Sequence, residues 1–318
     1  MIATGVKRVW LAAGLVVFVA SLLQGCGEKR PIVDLAREAE RKPSTPVVTA
    51  EPNETLRVAV GAMISPEITR EYYQELMELV AKRVGRRVVF SQRRTYAEIN
   101  ELVRTHEVDL AFVCAGPYTQ GHEAFGMELL VVPVVNGQKI YYSYILAHRD
   151  STIQSFADLR GKRFAFTDPD SNSGCLVPTC RLALLGETPE SYFAETFFTG
   201  SHDSSIKAVA DGLVDAAAVH SLIWEFVNTV EPSDTARTRI VGKSSAFGIP
   251  PVVVHPDLDG DLKHRLKILL LSLHKDPQAI PLLQSLQIDR FEEGEDSMYD
   301  SVREMYQWLN ASDREEAP

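Results

Sequence analysis

The chain has little positive charge, few cysteines and no motif of covalent catalysis. Its 318 residues include 33 Lys or Arg against 43 Asp or Glu, a formal net charge of −10. This balance, without a basic stripe or an RNA-binding motif, argues against a nucleic-acid partner. The four cysteines fit no zinc motif, so neither a metal nor another cofactor is expected. No Gly-x-Ser-x-Gly elbow or recognisable Cys/His triad spacing occurs, so we assign no catalytic residue and do not expect an enzyme.

The amino terminus is typical of an exported protein. Lys7 and Arg8 precede an apolar run over 9–23, and Leu23-Gln24-Gly25-Cys26 follows. A plain signal peptide would end in a small-x-small site. Leu-x-Gly-Cys instead resembles the bacterial lipobox, which implies that Cys26 is lipidated as the first residue of the mature chain. We interpret 1–26 as a lipoprotein signal peptide and expect a periplasmic or cell-surface protein, lipid-anchored to a bacterial membrane. The alternative is an uncleaved anchor, for which the run is short.

The remainder divides into a tether and a two-lobed body. Residues 27–54 are polar and proline-containing, which is typical of a flexible tether. From Thr55 onward, strand and helix patterns alternate, as in a parallel α/β fold. We expect one lobe from 55–145 plus 249–318 and a second from 146–248. Two crossover segments, a long strand over 139–148 and a return over 249–255, would join them as a clamshell.

A helix–turn–strand unit occurs twice in the sequence. Val108–Cys114 and Val214–His220 superimpose without a gap. Ligands of open α/β sheets bind beyond the carboxyl ends of the strands. The predicted loop 114–118 and the pair His220-Ser221 would therefore face each other across a cleft. Cys114 and His220 are candidates to line it, although a cysteine is also a common core residue.

The stretch 166–181 predicts an anion site. A strand runs into a turn containing Ser171, Asn172, Ser173 and Gly174, just before a helix that Pro178 allows to begin only at about 177–178. Such a turn presents hydroxyls and backbone N–H groups to one point, which suits a small anion. The alternative is a simple helix cap.

The second copy of the repeat adds a histidine to these candidates. His202 stands at a helix start, where a partly protonated ring would offer an anion both charge and a donor. The next residue, Asp203, is interpreted as the cap of that helix.

Three segments, 168–174, 201–209 and 108–118, resemble the phosphate/phosphite/phosphonate-binding lipoproteins of ABC transporters, the PhnD-like family of the type II periplasmic-binding fold. The resemblance implies that Ser171, Asn172 and Ser173 hold the oxygens of the anion and that His202 donates to it. It also implies that the hydroxyls of Tyr96 and Tyr118 reach it from the first lobe. The implied partners are a small oxyanion and an ABC permease with its ATPase.

Two functions remain open at this point. The first is capture of phosphonate, phosphite or phosphate for an ABC importer. The carboxylates that hold the amine of aminoethylphosphonate in the family have no counterpart here, where the return crossing offers Pro250-Pro251, and this favours a smaller oxyanion. The second is an arsenite-type sensor that partners a histidine kinase and uses Cys114 and Cys175 as a thiolate pair.

Overall fold

The structure is a computed structural model that describes residues 54–315. The predicted signal peptide with Cys26, and the tether except for Glu54, lie outside the described residues. Within the described part of the chain, no helix is both long and apolar enough to cross a membrane. The folded body opens with the strand predicted from Thr55.

The first part of the body alternates strands and helices, as the sequence predicts. Its elements are β1 (Thr55–Val60), α1 (Pro66–Arg83), β2 (Arg87–Ser91), α2 (Tyr96–Arg104), β3 (Leu110–Phe112), α3 (Ala115–Phe125) and β4 (Glu128–Val134). Helix α1 begins at Pro66 because the first turn needs no N–H from that residue. Helix α2 begins with a capping box, in which Thr95 and Glu98 satisfy each other's backbone N–H groups.

The chain then crosses into a second set of strands and helices. These are β5 (Ile140–Tyr141), β6 (Ser143–His148), a 3₁₀ turn (Phe156–Leu159), β7 (Arg163–Phe166), a π turn (Asn172–Leu176), α4 (Val177–Ala183), α5 (Pro189–Tyr192), β8 (Glu195–Phe198), α6 (His202–Ala210), β9 (Ala216–His220), α7 (Ser221–Val230), α8 (Pro232–Thr235) and β10 (Thr238–Lys243). As Pro178 predicts, the regular helix α4 begins at Val177, after an irregular turn.

The chain finally returns to the first lobe. The returning elements are β11 (Phe247–Gly248), β12 (Val252–Val254), α9 (Gly260–Ser272), a 3₁₀ turn (Leu273–Lys275), α10 (Ile280–Ser285), β13 (Arg290–Glu292), a 3₁₀ turn (Asp296–Tyr299) and α11 (Asp300–Glu315).

Two mixed sheets define two lobes. The first is six-stranded with the order β13-β4-β12-β3-β1-β2, and the second is five-stranded with the order β10-β6-β9-β7-β8. In each, the three strands at one end of the sheet are parallel: β1 with β2 and β3, and β7 with β8 and β9. A two-stranded sheet of β5 and β11 carries the two crossings between the lobes. Each lobe buries aliphatic and aromatic side chains against its own sheet.

The structure corrects several of the predicted segments and bounds. The loop predicted over 114–118 is instead the start of α3, capped by Cys114, with Pro117 in the first helical turn where its missing N–H has no cost. The single long strand predicted over 139–148 is broken at Tyr142 into β5 and β6. The return crossing is made at β11, whereas β12 already lies inside the first sheet, between β4 and β3. The sheet of the second lobe starts at Ser143, ahead of the predicted boundary at 146.

Candidate functional site

The two lobes meet through backbone groups at the ends of their central strands. The N–H of Tyr96, at the start of α2, donates to Oδ2 of Asp168 at 3.2 Å. In the opposite direction, the N–H of His202 donates to the carbonyl of Met63 at 3.0 Å. A Cβ added to Gly116 would lie 2.3 Å from the carbonyl oxygen of Asp170 in the facing lobe. The lobes are therefore closed, and only glycine allows the approach at position 116.

Asp203 takes part in the same closure rather than capping its helix. Its Oδ1 accepts the backbone N–H of Ser65, in the other lobe, at 2.9 Å. The cap of α6 is Ser201, whose hydroxyl accepts from Ser204. An aspartate at this position could have capped the helix or accepted from the other lobe. Because Ser201 caps the helix, Asp203 is left to accept from Ser65.

A set of buried side chains between the lobes has polar atoms without a hydrogen-bond partner among the described residues. We call this set the interlobe polar cluster; its members and free atoms are Tyr96 Oη, Asn172 Oδ1, Ser173 Oγ, His202 Nε2 and His220 Nε2. Each of these side chains is at most 2% exposed. Because an unsatisfied buried polar atom costs about 1–3 kcal/mol, a concentration of them indicates a place built for a polar ligand.

The tautomer of His202 follows from its contacts. Its Nδ1 accepts the backbone N–H of His220 at 3.2 Å and lies 3.0 Å from Oγ1 of Thr167. A nitrogen that accepts an N–H cannot carry a proton itself, so the neutral ring is protonated at Nε2. The free atom of His202 is therefore a hydrogen-bond donor.

The same argument holds for His220, which ends β9 and caps α7. Its Nδ1 accepts the N–H of Leu222 at 3.2 Å, which leaves Nε2 as the protonated nitrogen. The ring stacks on Tyr141 with centroids 4.0 Å apart, and its centroid lies 5.7 Å from that of His202. The two imidazoles thus supply two neighbouring N–H donors.

Asn172 and Ser173 are held through other atoms, which leaves one polar atom of each free. Nδ2 of Asn172 donates to the hydroxyl of Tyr141 at 2.7 Å, so its free Oδ1 is an acceptor. The carbonyl of Ser173 accepts from the hydroxyl of Ser143 at 2.6 Å, while its own hydroxyl stays free. Ser143 is paired with His220 across β6 and β9, which brings the π turn to the end of β9.

Ser171 and Gly174 support the turn and do not present free side-chain atoms to it. Oγ of Ser171 accepts the N–H of Gly174 at 3.0 Å, which is the cap considered as the alternative in the sequence analysis. A Cβ on Gly174 would lie 2.4 Å from Oγ1 of Thr167. Ser171 therefore acts as the cap of the turn, while Asn172 and Ser173 keep side-chain atoms free for a ligand.

Tyr96 and Cys114 bring the first lobe to the cluster. Burial raises the pKa of Tyr96 well above its usual value, and the nearby Cys114 and Asp168 add to this. The hydroxyl therefore stays protonated and can donate. Burial also raises the pKa of the Cys114 thiol, although backbone N–H groups of Asn172, Gly116 and Ala115 offset part of the effect.

Tyr118 is not brought to the cluster. Its hydroxyl donates to Oδ1 of Asp296 at 2.8 Å, and its ring packs on Tyr299 with centroids 4.6 Å apart. The prediction assumed a loop at 114–118. The helix that replaces it directs this ring to the 3₁₀ turn over 296–299 instead.

The cluster is electrically neutral. Burial lowers the pKa of His202 to about 3, and burial, followed by the proximity of His202, lowers that of His220 well below its usual value. The partly protonated histidine expected from the sequence is therefore wrong for this structure. None of the five residues that define the cluster is a lysine or arginine. Their free atoms are four hydrogen-bond donors, from the two hydroxyls and the two imidazoles, and one acceptor, Oδ1 of Asn172. This set suits an oxyanion that keeps one acidic proton.

The described residues hold one further group with metal-binding side chains, at a different part of the first lobe. His106, His255 and Asp257 each offer one ligand atom, and these atoms lie within 4.8 Å of one another. However, Nδ1 of His255 accepts the N–H of Asp257 at 3.0 Å, so the ring nitrogen nearest that carboxylate is already occupied. We assign no metal to it.

The thiols of the sensor hypothesis are not activated. Within residues 54–315, Cys114, Cys175 and Cys180 are free cysteines. Burial raises the pKa of Cys175 to about 11 and that of Cys180 to about 12. Since the thiolate is the metal-binding and nucleophilic form, this environment disfavours a thiolate pair.

Two residues around the cluster have roles that the sequence did not predict. Tyr141, in the short strand β5, holds both Asn172 and His220. Asp168 bridges the lobes through Tyr96 and accepts the N–H of Asp170 at 2.9 Å. Asp168 stands inside the predicted turn, so its position was noted although its bridging role was not.

Comparison of the structure with solved structures defines the class of protein. A binding-protein component of an ABC phosphonate transporter from Pseudomonas aeruginosa superimposes with a TM-score of 0.77 at 22% identity, covering 82% of this chain and 88% of that one. PhnD1 from Prochlorococcus marinus, solved in complex with methylphosphonate, gives a TM-score of 0.74 at 21% identity, covering 81% and 98%. The fold is thus the two-lobed type II periplasmic-binding fold.

The sequence comparisons place the chain more closely. The profile of the family described as "ABC transporter, phosphonate, periplasmic substrate-binding protein" matches residues 58–299. The chain belongs to this family, whose members are non-catalytic binding proteins of ABC transporters. It is 32% identical to the phosphate-import protein PhnD of Mycolicibacterium smegmatis over 197 residues, which are 55% of this chain and 57% of that protein. It is 23% identical to the phosphonates-binding periplasmic protein of Escherichia coli over 82% of this chain and 78% of that one.

Proposed function

We propose that the protein captures a small phosphorus oxyanion (phosphonate, phosphite or phosphate) between its lobes and delivers it to an ABC permease with its ATPase. The observation that carries the proposal is the interlobe polar cluster, which holds free polar atoms from both lobes in one buried place. An oxyanion with one acidic proton accepts from the four donors and donates to Oδ1 of Asn172. The names of the relatives, and the methylphosphonate in the P. marinus structure, support the phosphorus centre.

The closed arrangement explains how a neutral site binds an anion. Directed donors in a water-excluded place replace the hydration shell of the ligand, and charge-assisted hydrogen bonds are about twice as strong as neutral ones. Closure must therefore accompany binding, since opening the lobes separates Tyr96 from His202. Such closure around a ligand is the usual motion of this fold.

The proposal includes an anchor outside the described residues. The sequence over 1–26 resembles a lipoprotein signal, so Cys26 would carry the lipid and 27–54 would link it to the lobes. Of the predicted lobes, 55–145 plus 249–318 and 146–248, the second would begin at Ser143, where its sheet starts. The periplasmic placement agrees with the family description.

The test is calorimetric titration with methylphosphonate, phosphite and phosphate. The double variant Ser173→Ala with His202→Ala removes two donors, each worth about 1.5–3 kcal/mol against a charged ligand. We expect its affinity to fall at least a hundredfold. Parent-like affinity would show that the anion binds elsewhere.

Two further variants show whether a loss of affinity results from the lost donors or from misfolding. His202→Asn keeps an acceptor near the position of Nδ1, and so keeps the contacts with His220 and Thr167, but removes the Nε2 donor. The double variant Ser285→Ala with His264→Ala changes the same residue types on the exposed surface and should bind like the parent.

A further inference from the structure

An apolar cavity adjoins the interlobe polar cluster. Its volume is about 80 Å³, and its walls come from both lobes and from the crossing between them, including Met63, Ile223, Phe226, Ile249 and Pro250. None of its lining residues, all of which belong to the described part of the chain, is Asp, Glu, Lys or Arg.

Two residues belong to both the cavity and the surroundings of the cluster. His220 lines the cavity and carries one of the free Nε2 donors. Met63 lines it too, and packs with Tyr96 and Cys114 on the side of the first lobe. A group bonded to a phosphorus atom held by the cluster would therefore meet this cavity.

We propose that the preferred ligands are phosphonates with a short unsubstituted alkyl chain, whose phosphonate group lies in the cluster and whose chain lies in the cavity. This inference rests on the proposed function. It names the class of substituent on phosphorus, which the proposed function leaves open.

The size of the cavity sets the length of the chain. A dry protein cavity of about 150 Å³ accommodates benzene, so about 80 Å³ has room for about three carbon atoms. Propylphosphonate is therefore expected to fill it, whereas methylphosphonate leaves most of it empty. Each methylene group buried in place of water strengthens binding about fourfold, so the propyl compound, with two more of them, should bind about fifteenfold more tightly than the methyl compound.

The chemistry of the walls excludes a charged chain of the same length. 2-Aminoethylphosphonate has the shape of propylphosphonate, with an ammonium group in place of the terminal methyl group. In this cavity the ammonium would lose its water without meeting a carboxylate, which is strongly unfavourable. We expect it to bind at least a hundredfold more weakly than propylphosphonate.

The experiment is calorimetric titration of the protein, purified free of ligand, with methyl-, propyl- and 2-aminoethylphosphonate. Ile223→Phe fills the cavity from α7 and substitutes no member of the cluster, although Ile223 packs against the group of Met63, Tyr96 and Cys114. It should remove the advantage of the propyl chain and leave the affinity for methylphosphonate within about threefold of the parent. Ile223→Leu preserves the volume and should keep the parent's order of affinities. If Ile223→Phe does not fold, Leu286→Phe fills the cavity from the first lobe and serves instead.

The outcomes separate this inference from the proposed function. If methylphosphonate binds but propylphosphonate binds no more tightly, or if 2-aminoethylphosphonate binds equally well, the apolar chain site is wrong while anion capture stands. If none of the phosphonates binds, and phosphite and phosphate do not bind either, the proposed function fails first.

Discussion

Tyr96 and His202 occupy equivalent positions in the two lobes. Each is the first residue of a helix, and each follows a hydroxyl cap, Thr95 or Ser201. The backbone N–H of each donates across the cleft to the segment that follows the first parallel strand of the other lobe, at 3.2 Å and 3.0 Å respectively. Each then leaves one side-chain atom free in the same buried cluster.

Other residues of the two lobes are equivalent in the same way, and each equivalent pair is separated by the same number of residues as Tyr96 and His202. Arg57 pairs with Asp109 at 2.5 Å, and Arg163, at the same place in the second lobe, pairs with Asp215 at 3.1 Å. Each aspartate also accepts the backbone N–H of its arginine, which ties β1 to β3 in the first lobe and β7 to β9 in the second. The duplicated unit found in the sequence is therefore a duplicated structure, and the site lies where its two copies meet.

Gly116→Ala should oppose closure of the lobes. The added Cβ would lie 2.3 Å from the carbonyl of Asp170 in the closed structure, and relief requires the lobes to separate. We expect affinity for the oxyanion to fall at least tenfold while thermal stability of the ligand-free protein changes little. Titration calorimetry measures the affinity, scanning calorimetry the thermal stability, and small-angle scattering the separation of the lobes. Gly260→Ala, whose Cβ would meet nothing within 4 Å, is the control. Full affinity in the alanine variant would contradict the closed geometry.

Acidification should destabilise the closed protein through its buried histidines. Burial lowers the pKa of His202 to about 3 and that of His220 well below normal, whereas both titrate near 6.5 when unfolded. Between these values the unfolded chain binds more protons, so the free energy of unfolding falls by about 1.4 kcal/mol per pH unit for each histidine.

Urea unfolding at about pH 7.5, 6.5 and 5.5 measures this slope. His202→Asn should lower it by its share, because asparagine keeps the acceptor but does not titrate. His264→Asn, on the exposed surface, is the control and should keep the slope of the parent. An equal slope in His202→Asn and the parent would show that His202 is not buried in its neutral form.

Methanesulfonate should bind much more weakly than methylphosphonate. The two anions share their shape, and each carries a single negative charge when the phosphonate keeps its proton, but the sulfonate has no proton to donate to Oδ1 of Asn172. An unsatisfied buried acceptor costs about 1–3 kcal/mol, or roughly tenfold to a hundredfold in affinity. Competition calorimetry measures the ratio of the affinities for methylphosphonate and methanesulfonate. This ratio should be smaller in Asn172→Leu, which has no acceptor. Equal affinities in the parent would mean that Asn172 does not accept from the ligand.

Cys26→Ser should release the protein from the membrane fraction. Serine cannot form the thioether to lipid that the resemblance to a lipobox implies. Fractionation of the native host followed by immunoblotting measures the distribution, and Cys175→Ser should remain with the membrane. If Cys26→Ser also stays there, the segment over 9–23 is an uncleaved anchor.

The hydroxyl-rich turn and the fold could be predicted because their signals are local. The hydroxyl-rich turn before Pro178, and the repeat that aligns Cys114 with His220, both follow from short stretches of sequence. The carboxyl ends of parallel strands lie at the same edge of a sheet, however the side chains pack. Asn172, Ser173, His202 and His220 therefore meet in the structure as their positions suggested.

Other features of the site depend on partners that are distant in sequence. Gly116-Pro117 looks like a turn, yet both residues fit the first turn of α3, and Tyr118 then finds Asp296 on a segment far along the chain. The neutral state of His202 results from its burial, which depends on partners distant in sequence such as Thr167. The apolar cavity likewise needs walls from stretches far apart in the chain, such as those of Met63, Ile223 and Leu286.

The position of β12 has a consequence for the order in which the protein is made. This strand lies between β4 and β3, in the interior of the first sheet, although the chain supplies it only after the whole second lobe. The second sheet, by contrast, draws all its strands from one unbroken stretch, Ser143 to Lys243. During export, when domains fold as units while the chain emerges, the second lobe can therefore complete its sheet before the first. The amino-terminal part of the first lobe therefore lacks an interior strand of its sheet until the second lobe has emerged.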